Sequence, residues 1–470
     1  MCPVLHLVIR PEYNKLSYKS QYKDRNLGFP TFLIFSWYNR PNIKMSIEIS
    51  HFNHTPLGDP EKVIVVGAGI AGLDAAIKIR KQGSPVVLLE TRPTPLPPHN
   101  HPKRAEMTLS EAVQSAGIQD AVTTDLNTVR FLNLDNLNQN HICHVKPTPQ
   151  YPQPFAQAID HDSALTSLLD QASSAGVDIR FAHQVTDIQD NAPHHCTVTY
   201  NVNGSTRSID CFATVYATGA GIEKLSFPNF ETRRLYQNSI VAYAYGGLYE
   251  GKINAEYGNT TMFHPISARG TGKTSWVSAA GDGRIEVVHS DYCLRWQFPK
   301  LDFATSYNKL LNSLTRQGLI TVGRKIAPIS GFFGLEGHPH LPTGWVNVFP
   351  HGEKAMANAP TVGDAIAPVV RNSEHLASII HRRGTPREYA DYLAQSFNFR
   401  LENALTRSRV AAKTVGDGLP FLEILDRLTT EEQIDLLRHH QVPLRFFPQI
   451  LLRHPSTVKI FFDIARYWKN

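Results

Sequence analysis

A glycine-rich turn followed by a distant acid is the feature of the sequence that most directly implies chemistry. Gly67, Gly69 and Gly72 lie in the order G-x-G-x-x-G, and Glu90 follows 18 positions after Gly72. In a strand–turn–helix unit, the first glycine makes the tight turn, the second admits a phosphate close to the backbone, and the third lets helix and strand pack closely. A carboxylate at this distance can accept hydrogen bonds from the hydroxyls of a ribose. The spacing therefore predicts a site for a dinucleotide.

Three regular elements would hold these residues in place. Residues 62–66 form an apolar run that is typical of a buried strand in a parallel sheet. A helix then follows the turn, directs its N-terminus at the bound anion and ends at Gly83. Residues 86–89 form the second strand, which leads into the acid. The candidate binding residues of this unit are Gly67, Ala68, Gly69, Ala71, Gly72, Glu90, Thr91 and Arg92.

Two further motifs lie far downstream. Residues 211–221, CFATVYATGAG, are an apolar strand that runs into Thr218 and Gly219. Residues 345–370 contain a strand, then Gly-Glu-Lys-Ala, then a Pro and a Gly-Asp-Ala-Ile sequence that opens a helix. The order of the three motifs resembles the superfamily of FAD-dependent oxidoreductases that includes aromatic hydroxylases (group A flavin monooxygenases), geranylgeranyl reductases and flavin-dependent halogenases. The resemblance extends over residues 62–400.

This resemblance implies that the dinucleotide is FAD, and it assigns roles to residues of the later motif. Glu353 takes the place of an Asp that holds the ribityl chain or the pyrophosphate. Pro360 and Gly363 would lie at the isoalloxazine ring, whose pyrimidine edge faces a helix N-terminus, and Asp364 is a further candidate cofactor-binding residue. Arg104 stands where many relatives carry an arginine that touches the pyrophosphate or the ribityl chain. A solvated arginine at a helix start is the alternative for that residue.

The resemblance also implies an α/β fold. It would consist of a Rossmann-type FAD-binding domain, with a central parallel sheet and helices, an inserted antiparallel β-sheet substrate domain and a helical C-terminal region. Alternation of apolar residues over 230–341 is typical of half-buried antiparallel strands. The predicted segments are an N-terminal extension (1–60), a first FAD-binding segment (61–125), a substrate-domain insertion (126–158), a second FAD-binding segment (159–228), the substrate-binding sheet (229–344), a third FAD-binding segment (345–385) and the helical region (386–470).

The chain departs from the pattern of each of these subfamilies. Ala220 occupies the position of an Asp that, in aromatic hydroxylases, helps to hold FAD and the reduced nicotinamide. The Trp-x-Trp-x-Ile-Pro signature of the halogenases is absent. The Phe-Pro at residues 298–299 resembles the geranylgeranyl reductase signature, but it follows the hairpin instead of lying in its first strand. The resemblance therefore identifies the superfamily and leaves the subfamily open.

The predicted function is that of an FAD-dependent oxidoreductase, in the first place a monooxygenase that hydroxylates an apolar or aromatic small molecule with reduced flavin and oxygen. The alternatives are a reductase of isoprenoid-type C=C bonds, a relative of the flavin-dependent halogenases and a non-catalytic FAD-binding protein. NAD(P)H is the expected ultimate electron donor. Because Ala220 replaces the Asp and no second G-x-G-x-x-G follows a strand, a flavin reductase or ferredoxin-type partner is predicted to deliver the electrons.

Aromatic residues of the predicted substrate sheet are candidates to line an apolar pocket. They are Tyr243, Tyr245, Phe263 and Trp276. Packing in the core is the alternative for each of them, because large aromatic side chains are mostly buried in any fold.

Composition and charge argue against several other classes of protein. The chain of 470 residues has 42% hydrophobic and 19% charged residues, as ordinary globular proteins do. Five of its six net positive charges arise in the first 44 residues, where seven Lys or Arg stand against two Asp or Glu, which leaves 40 against 39 in the remainder. Nucleic acid is therefore not an expected partner. The histidine pairs lack the i, i+4 spacing of helical zinc ligands, and no metal site is expected.

The location and the chain ends are predicted from simpler signals. Five scattered cysteines without a C-x-x-C pair favour a reducing, cytoplasmic location. No apolar run reaches the roughly 18 residues of a membrane span. Residues 1–44 lack the periodicity of a packed element and are interpreted as an extension, either a flexible tail or the product of an early start codon. Residues 455–470 have an apolar helical face with basic residues at its sides, which favours a packed terminal helix. The alternative is a peripheral contact with a membrane surface, which would suit an apolar substrate.

Overall fold

The computed structural model of the protein describes residues 61–94, 105–133, 140–144, 147, 149, 152–192, 194–219, 240–256, 261–266, 275–294, 302–334, 345–355, 366–396 and 428–439. Several residues with a predicted role lie outside these ranges, namely Arg104, Ala220, Pro360, Gly363 and Asp364. The predicted N-terminal extension and the C-terminal segment 455–470 also lie outside them.

The described residues contain eighteen strands and seven α-helices. The strands are β1 (Val63–Val66), β2 (Val86–Leu89), β3 (Ala105–Leu109), β4 (Val122–Leu126), β5 (Thr128–Asn133), β6 (Asn140–His144), β7 (Ala156–Asp160), β8 (Asp178–Arg180), β9 (Gln184–Ala192), β10 (His195–Val202), β11 (Ser205–Cys211), β12 (Ala213–Tyr216), β13 (Ile240–Ile253), β14 (Thr261–Ile266), β15 (Trp276–Ala279), β16 (Arg284–Leu294), β17 (Ile320–Gly334) and β18 (Val348–Pro350). The helices are α1 (Ile70–Lys81), α2 (Ser110–Ala116), α3 (His161–Ser174), α4 (Phe303–Arg316), α5 (Ile366–His381), α6 (Pro386–Ser396) and α7 (Thr430–His439).

Local sequence signals explain where several helices begin and end. α3 begins after Asp160, whose carboxylate accepts a hydrogen bond from the Ser163 N–H at 2.9 Å. α2 ends at Gly117, which adopts the left-handed conformation with a φ of 66°. Before α7, Thr429 Oγ1 accepts from the Glu432 N–H at 3.3 Å, and Glu432 Oε2 accepts from the Thr429 N–H at 3.0 Å. This reciprocal pair is a capping box, which satisfies two otherwise unpaired backbone donors.

A five-stranded parallel sheet in the order β18-β12-β1-β2-β8 forms the centre of the nucleotide-binding region. Every residue of β1, β2, β12 and β18 is buried. Such continuous apolar burial requires cover on both faces of the sheet. Alternate side chains of β1, such as Val63 and Val65, pack with α1, α3 and α5, whereas Ile64 and Val66 pack against the antiparallel sheet β11-β10-β9. The result is a three-layer arrangement.

A second large sheet has seven strands in the order β17-β13-β16-β15-β14-β5-β6, and all its pairings are antiparallel except β14 with β5. One face packs against α4, where Val277 and Val287 join Leu310 in a separate cluster. On the opposite face, Val129 and Phe131 belong to the main core together with β1 and α1. That face is therefore turned towards the nucleotide-binding region. A small sheet, β3-β7-β4, completes the described strands.

The predicted fold class is confirmed, because a parallel sheet with helices is combined with separate antiparallel sheets. The division of the chain at the predicted domain boundaries stays a prediction. Among the described residues, no helix has both the length and the apolar character of a membrane-spanning segment.

Candidate cofactor-binding site

A cavity of about 1090 Å³ lies at the carboxyl edge of the parallel sheet. From β1 the chain proceeds to β2 and β8 on one side and to β12 and β18 on the other, so the strand order reverses at this point. Ligands of open α/β sheets bind where the order reverses. This volume slightly exceeds the roughly 300–1,000 Å³ that small-molecule sites occupy. Its position and size therefore suit a large nucleotide.

Most of the described candidate residues line this cavity. They are Gly67, Gly69, Ala71, Glu90, Thr91, Arg92, Thr218, Gly219 and Glu353. Ala68 and Gly72 are not among the lining residues, but they shape the glycine loop from behind. The structure thus brings together residues from the first strand, the second strand, β12 and β18, although they are up to 286 positions apart from Gly67 to Glu353.

The three glycines of the loop have different roles. Gly67 adopts a φ of 103°, and a Cβ on it would lie 2.6 Å from the Ala217 carbonyl oxygen. A Cβ on Gly72 would lie 1.9 Å from the Gly67 carbonyl oxygen, so this glycine is required for contact between helix and strand. A Cβ on Gly69 would meet nothing within 4 Å. Gly69 therefore leaves room on the cavity side, where the backbone can approach a diphosphate.

Glu90 joins the second strand to the glycine loop. Its Oε2 accepts the Ala68 N–H at 2.7 Å, and its Oε1 accepts the Arg92 N–H at 2.8 Å and Arg92 Nε at 3.1 Å. Burial alone would raise the pKa of Glu90, but the hydrogen bonds from Arg92 and Ala68 outweigh burial and lower it. Arg92 Nη2 also donates to Oε2 at a longer 3.4 Å, and this weakest of the four contacts to the carboxylate is the one that a ribose hydroxyl could replace. An ionised acceptor of this kind fits a ribose diol.

The turn after β12 meets the turn after β18 at the cavity. Gly219 adopts a φ of 72°, and a Cβ on it would lie 3.4 Å from Glu353 Oε2. Thr218 Oγ1 is buried and has no hydrogen-bond partner within the described ranges of the chain. An unsatisfied buried hydroxyl at a cavity wall is costly unless a ligand completes it. Together with the space at Gly69 and the acceptor at Glu90, this donor set fits FAD.

A buried histidine network holds the turn that carries Glu353. His351 Nδ1 lies 2.8 Å from the Tyr389 hydroxyl, and His351 Nε2 lies 3.0 Å from Ser373 Oγ. Because the Ser373 hydroxyl donates to the Val369 carbonyl at 3.0 Å, the ring donates from Nε2 and accepts at Nδ1. Burial lowers the pKa of His351 to about 3, with a smaller contribution from the charge of Lys78. The neutral ring thereby ties β18 to α5 and α6.

A buried ion pair lies beneath the glycine loop. Lys78 Nζ is 3.0 Å from Asp74 Oδ2 on the next turn of α1, and it also donates to the Val370 carbonyl at 2.8 Å. Burial raises the pKa of Asp74, and the charge and hydrogen bond of Lys78 oppose that rise. The pair connects α1 to α5 inside the core. Sequence reasoning did not identify either group. The partners of His351 are distant in the chain, and Asp74 and Lys78 lie within a helix that was interpreted from its apolar residues alone.

Two further ionisable residues of the cavity wall were missed by sequence reasoning. Glu106 in β3 and His161 at the start of α3 line the cavity. His161 Nδ1 lies 3.0 Å from Glu106 Oε1, an ion-pair distance when the ring is protonated. Neither residue belongs to a glycine motif or to a strand end of the parallel sheet, so no local pattern marked them.

The predicted aromatic pocket is wrong for two of its four residues. Tyr243 packs against Phe303 with ring centroids 4.4 Å apart, and Tyr245 packs against Tyr307 at 5.6 Å. Both tyrosines therefore lie on the face that α4 covers and belong to core packing. Trp276 lies on the opposite face, where its Nε1 donates to Glu286 Oε1 at 3.0 Å. The side chain of Phe263 lies outside the described residues.

No group of three His, Cys, Asp or Glu side chains within the described ranges is arranged to hold a metal ion.

Comparison with known proteins agrees with this geometry. Residues 61–222 match a family model described as an FAD binding domain. A stretch of 61 residues is 43% identical to the methylenetetrahydrofolate–tRNA-(uracil-5-)-methyltransferase TrmFO of Heliobacterium modesticaldum, which represents 13% of this chain and 14% of that protein. The matches to this and the other curated relatives cover between 14% and 36% of the relatives' own length.

Solved structures extend the similarity over most of the chain. The flavin-dependent brominase Bmp2 has a TM-score of 0.61 at 14% identity, over 87% of this chain and 98% of that one. A geranylgeranyl bacteriochlorophyll reductase-like protein from Thermoplasma acidophilum has a TM-score of 0.58 at 14% identity, over 86% of this chain and 99% of that one. At such identities the likeness concerns the fold. Together, the match of residues 61–222 to an FAD-binding domain and these shared folds support the superfamily of FAD-dependent oxidoreductases and no single subfamily of it.

Proposed function

We propose that the protein is an FAD-dependent monooxygenase that hydroxylates an apolar or aromatic small molecule. The observation that carries the proposal is the cavity at the carboxyl edge of the parallel sheet, where the glycine loop, Glu90, Thr218 and Glu353 converge. A bound FAD would supply the redox chemistry there, including the reaction of its reduced form with oxygen. The protein would bind the cofactor and the substrate, orient them and exclude water from the site.

Each section of the cavity wall suits a different portion of FAD. The backbone at Gly69 and the N-terminus of α1 would face the diphosphate, since a helix N-terminus favours negative charge. Glu90 would accept hydrogen bonds from the adenosine ribose. Thr218 would direct its unsatisfied hydroxyl at the cofactor, and Glu353 would act beside it on the ribityl chain or the diphosphate.

The seven-stranded sheet supports an apolar substrate. The face turned towards the nucleotide-binding region carries small or aliphatic side chains, among them Ala244, Leu248 and Val288, all of them buried. Glu286 interrupts this face, and its carboxylate accepts the Trp276 indole N–H. None of Ala244, Leu248 and Val288 lines the cavity of the glycine loop, so an apolar substrate would bind this face only where it opens beside that cavity.

The electrons would come ultimately from NAD(P)H, delivered by a flavin reductase or a ferredoxin-type donor. The sequence supports this aspect of the proposal through Ala220, which replaces the nicotinamide-holding Asp of aromatic hydroxylases. The same apolar wall suits a second candidate, reduction of isoprenoid-type C=C bonds, and the reductase-like protein from T. acidophilum shares the fold. Halogenation is a third, since the brominase Bmp2 shares it too.

Oxygen consumption separates these candidates. The purified protein would be reduced anaerobically with NADPH, with and without a flavin reductase, and then mixed with oxygen and a panel of aromatic and isoprenoid compounds. A monooxygenase consumes one oxygen molecule for each hydroxylated product, whereas a C=C reductase forms product without oxygen. Product formation that requires bromide or chloride would favour halogenation. A bound flavin that no reductant reduces would contradict an enzymatic role. The Gly69→Val variant serves as the control without cofactor.

A further inference from the structure

Cys196 and Cys211 lie directly opposite each other in the three-stranded sheet β11-β10-β9. They form one end of the antiparallel register between β10 and β11, although 15 positions separate them in the sequence. Both residues are buried, with exposures of 0% and 2%. They belong to the cluster that packs this sheet against Ile64 and Tyr216 of the parallel sheet. The fold therefore brings together two thiols that the cofactor site does not use.

The pairing of the two strands suits a covalent bond between these cysteines. Directly opposed residues of antiparallel strands have Cα atoms about 4.5–5.5 Å apart. Disulfides join residues whose Cα atoms are about 4.4–6.8 Å apart, so the register already provides the separation that a disulfide requires. Both cysteines are free thiols in this structure. A bond between their sulfurs would thus leave the strand register unchanged.

The two thiols are chemically unequal. A hydrogen bond from the Cys196 thiol lowers the pKa of Cys211 against the effect of burial, and the Thr214 hydroxyl, 3.4 Å from the Cys211 sulfur, lowers it further. The contact with Cys211 and burial both raise the pKa of Cys196. Asp190, whose Oδ1 lies 3.8 Å from the Cys196 sulfur, adds a smaller rise. Because the thiolate is the nucleophile, Cys211 is the sulfur that reacts first with an oxidant.

We propose that Cys196 and Cys211 are a redox-active thiol pair that hydrogen peroxide converts into a cross-strand disulfide. The Cys211 thiolate attacks one peroxide oxygen and becomes a sulfenic acid, while the O–O bond breaks and the hydroxide that leaves takes up a proton to form water. The Cys196 sulfur then attacks the Cys211 sulfur and loses its proton, and the S–O bond breaks to release a second water. The thiols lose two electrons in total, and the peroxide gains them.

The position of the pair determines how fast it is oxidised and what the bond does. Among the described strands, β11 is at the edge of its sheet, and residues 205–208 are exposed. Peroxide reaches the buried sulfurs when this edge opens, so oxidation should be slower than that of an exposed thiol. The disulfide closes the β10–β11 hairpin at its base. A cross-link of this kind restricts the unfolded chain and stabilises the sheet that covers the parallel sheet.

Peroxide treatment of the full chain, followed by mass spectrometry, tests this proposal. The protein would be reduced, freed of the reductant and treated with hydrogen peroxide, and the remaining thiols would be alkylated in denaturant before proteolysis. We expect a peptide pair that joins Cys196 to Cys211 and that dithiothreitol separates. The oxidised protein should unfold at a temperature about 3–6 °C above that of the reduced protein.

Single variants distinguish the two sulfurs. Cys196→Ser leaves Cys211 without a partner thiol, so a dimedone adduct of the sulfenic acid should appear at Cys211. Cys211→Ser should leave Cys196 reduced under the same treatment, because its thiol is the less acidic one. Both variants should lose the rise in unfolding temperature. Cys143→Ser is the matched control, which should form the disulfide at the wild-type rate and keep the rise. If a Ser variant fails to fold, the mapping of the wild-type disulfide still decides.

Several results would overturn the proposal. They are full alkylation of both cysteines after peroxide treatment, a disulfide that joins other cysteines, and sulfinic acid at Cys211 beside a free Cys196 thiol. An oxidised protein that unfolds at or below the temperature of the reduced one would overturn the stabilising role of the bond. None of these results bears on the cofactor, because neither cysteine lines the cavity.

Discussion

The two large sheets of the molecule place their polar groups in different ways. At the edge of the five-stranded sheet, Glu90 is satisfied by backbone and side-chain donors from Ala68 and Arg92, all within 24 positions along the chain. In the seven-stranded sheet, Ser278 and Ser290 are fully buried, and their hydroxyls have no partner within the described residues. The polar contacts of Glu90 are made within one short segment of the chain, whereas the environment of Ser278 and Ser290 is set by the pairing of strands that are distant in sequence. Substitutions should therefore act differently in the two regions.

The largest effect is expected from a side chain at the third glycine of the loop. Gly72→Ala places a Cβ 1.9 Å from the Gly67 carbonyl oxygen, so α1 must separate from β1. We expect a loss of at least about 4 kcal/mol in the free energy of unfolding, or failure to fold. The control is Gly69→Ala in the same loop, where a Cβ has no neighbour within 4 Å and the apoprotein should lose no more than about 1 kcal/mol from the weaker N-cap of α1. Equal stability of the two variants in urea unfolding would contradict this role of Gly72.

The buried ion pair of the nucleotide-binding region should be next in size. Lys78→Met leaves the Asp74 carboxylate buried without its cation, which should cost about 3–5 kcal/mol. The double variant Asp74→Leu with Lys78→Met should recover most of that loss. The exposed pair Arg324–Glu250 of the seven-stranded sheet is the control, and Arg324→Met should cost less than about 1 kcal/mol. Urea unfolding of the wild type and these three variants would measure the difference, and equal losses at the two sites would contradict it.

The neutral His351 should make stability depend on pH. Its folded pKa of about 3 lies below the value of about 6.5 expected in the unfolded chain, so the unfolded state binds more protons between these values. The stabilisation is present above about pH 6.5 and is lost as the pH falls towards 3, by about 2 kcal/mol between pH 7 and pH 5.

His351→Gln removes this titration and should reduce the acid-induced loss by that amount, whatever its effect at pH 7. Urea unfolding at the two pH values would measure it. His375, whose pKa burial also lowers, is present in both proteins and cancels in the comparison. An identical acid-induced loss in the variant would show that His351 is not the responsible group.

The smallest effect is expected in the wall of the seven-stranded sheet. Ser290→Ala removes a buried hydroxyl that has no partner among the described residues, so the variant should be as stable as the wild type or more stable by about 1 kcal/mol. If Ser290→Ala clearly lowers the temperature of thermal unfolding, the Ser290 hydroxyl has a hydrogen-bond partner outside the described residues. Thr218→Ala is the comparison at the cavity, where the same gain in apo stability should be accompanied by weaker FAD binding.

The same contrast explains how much of the molecule could be predicted from the sequence. The glycine loop and Glu90 were predictable because turn, helix and strand lie within one short segment and obey local steric rules. The faces of the seven-stranded sheet were not, because alternation along β13 defines two faces without telling which one α4 covers. Pocket lining and core packing therefore both stayed open for Tyr243 and Tyr245, and the structure shows core packing.

Contacts between remote segments were equally hidden from the sequence. His351 and Tyr389 are 38 positions apart and meet only because α6 packs beside β18. Glu106 and His161 are brought together by the pairing of β3 with β7, which no motif announces. Polar groups of this kind become visible only once tertiary packing is known.

The most direct test of the account is the identity and retention of the flavin. The wild-type protein should release FAD, and not FMN, when it is denatured and chromatographed, because Glu90 and the glycine loop are arranged for an adenosine diphosphate. Gly69→Val should retain no flavin while the apoprotein stays folded, since the added side chain fills the space of the diphosphate and otherwise costs only about 1 kcal/mol at the N-cap of α1. Release of FMN from the wild type, or full FAD content in Gly69→Val, would contradict the account.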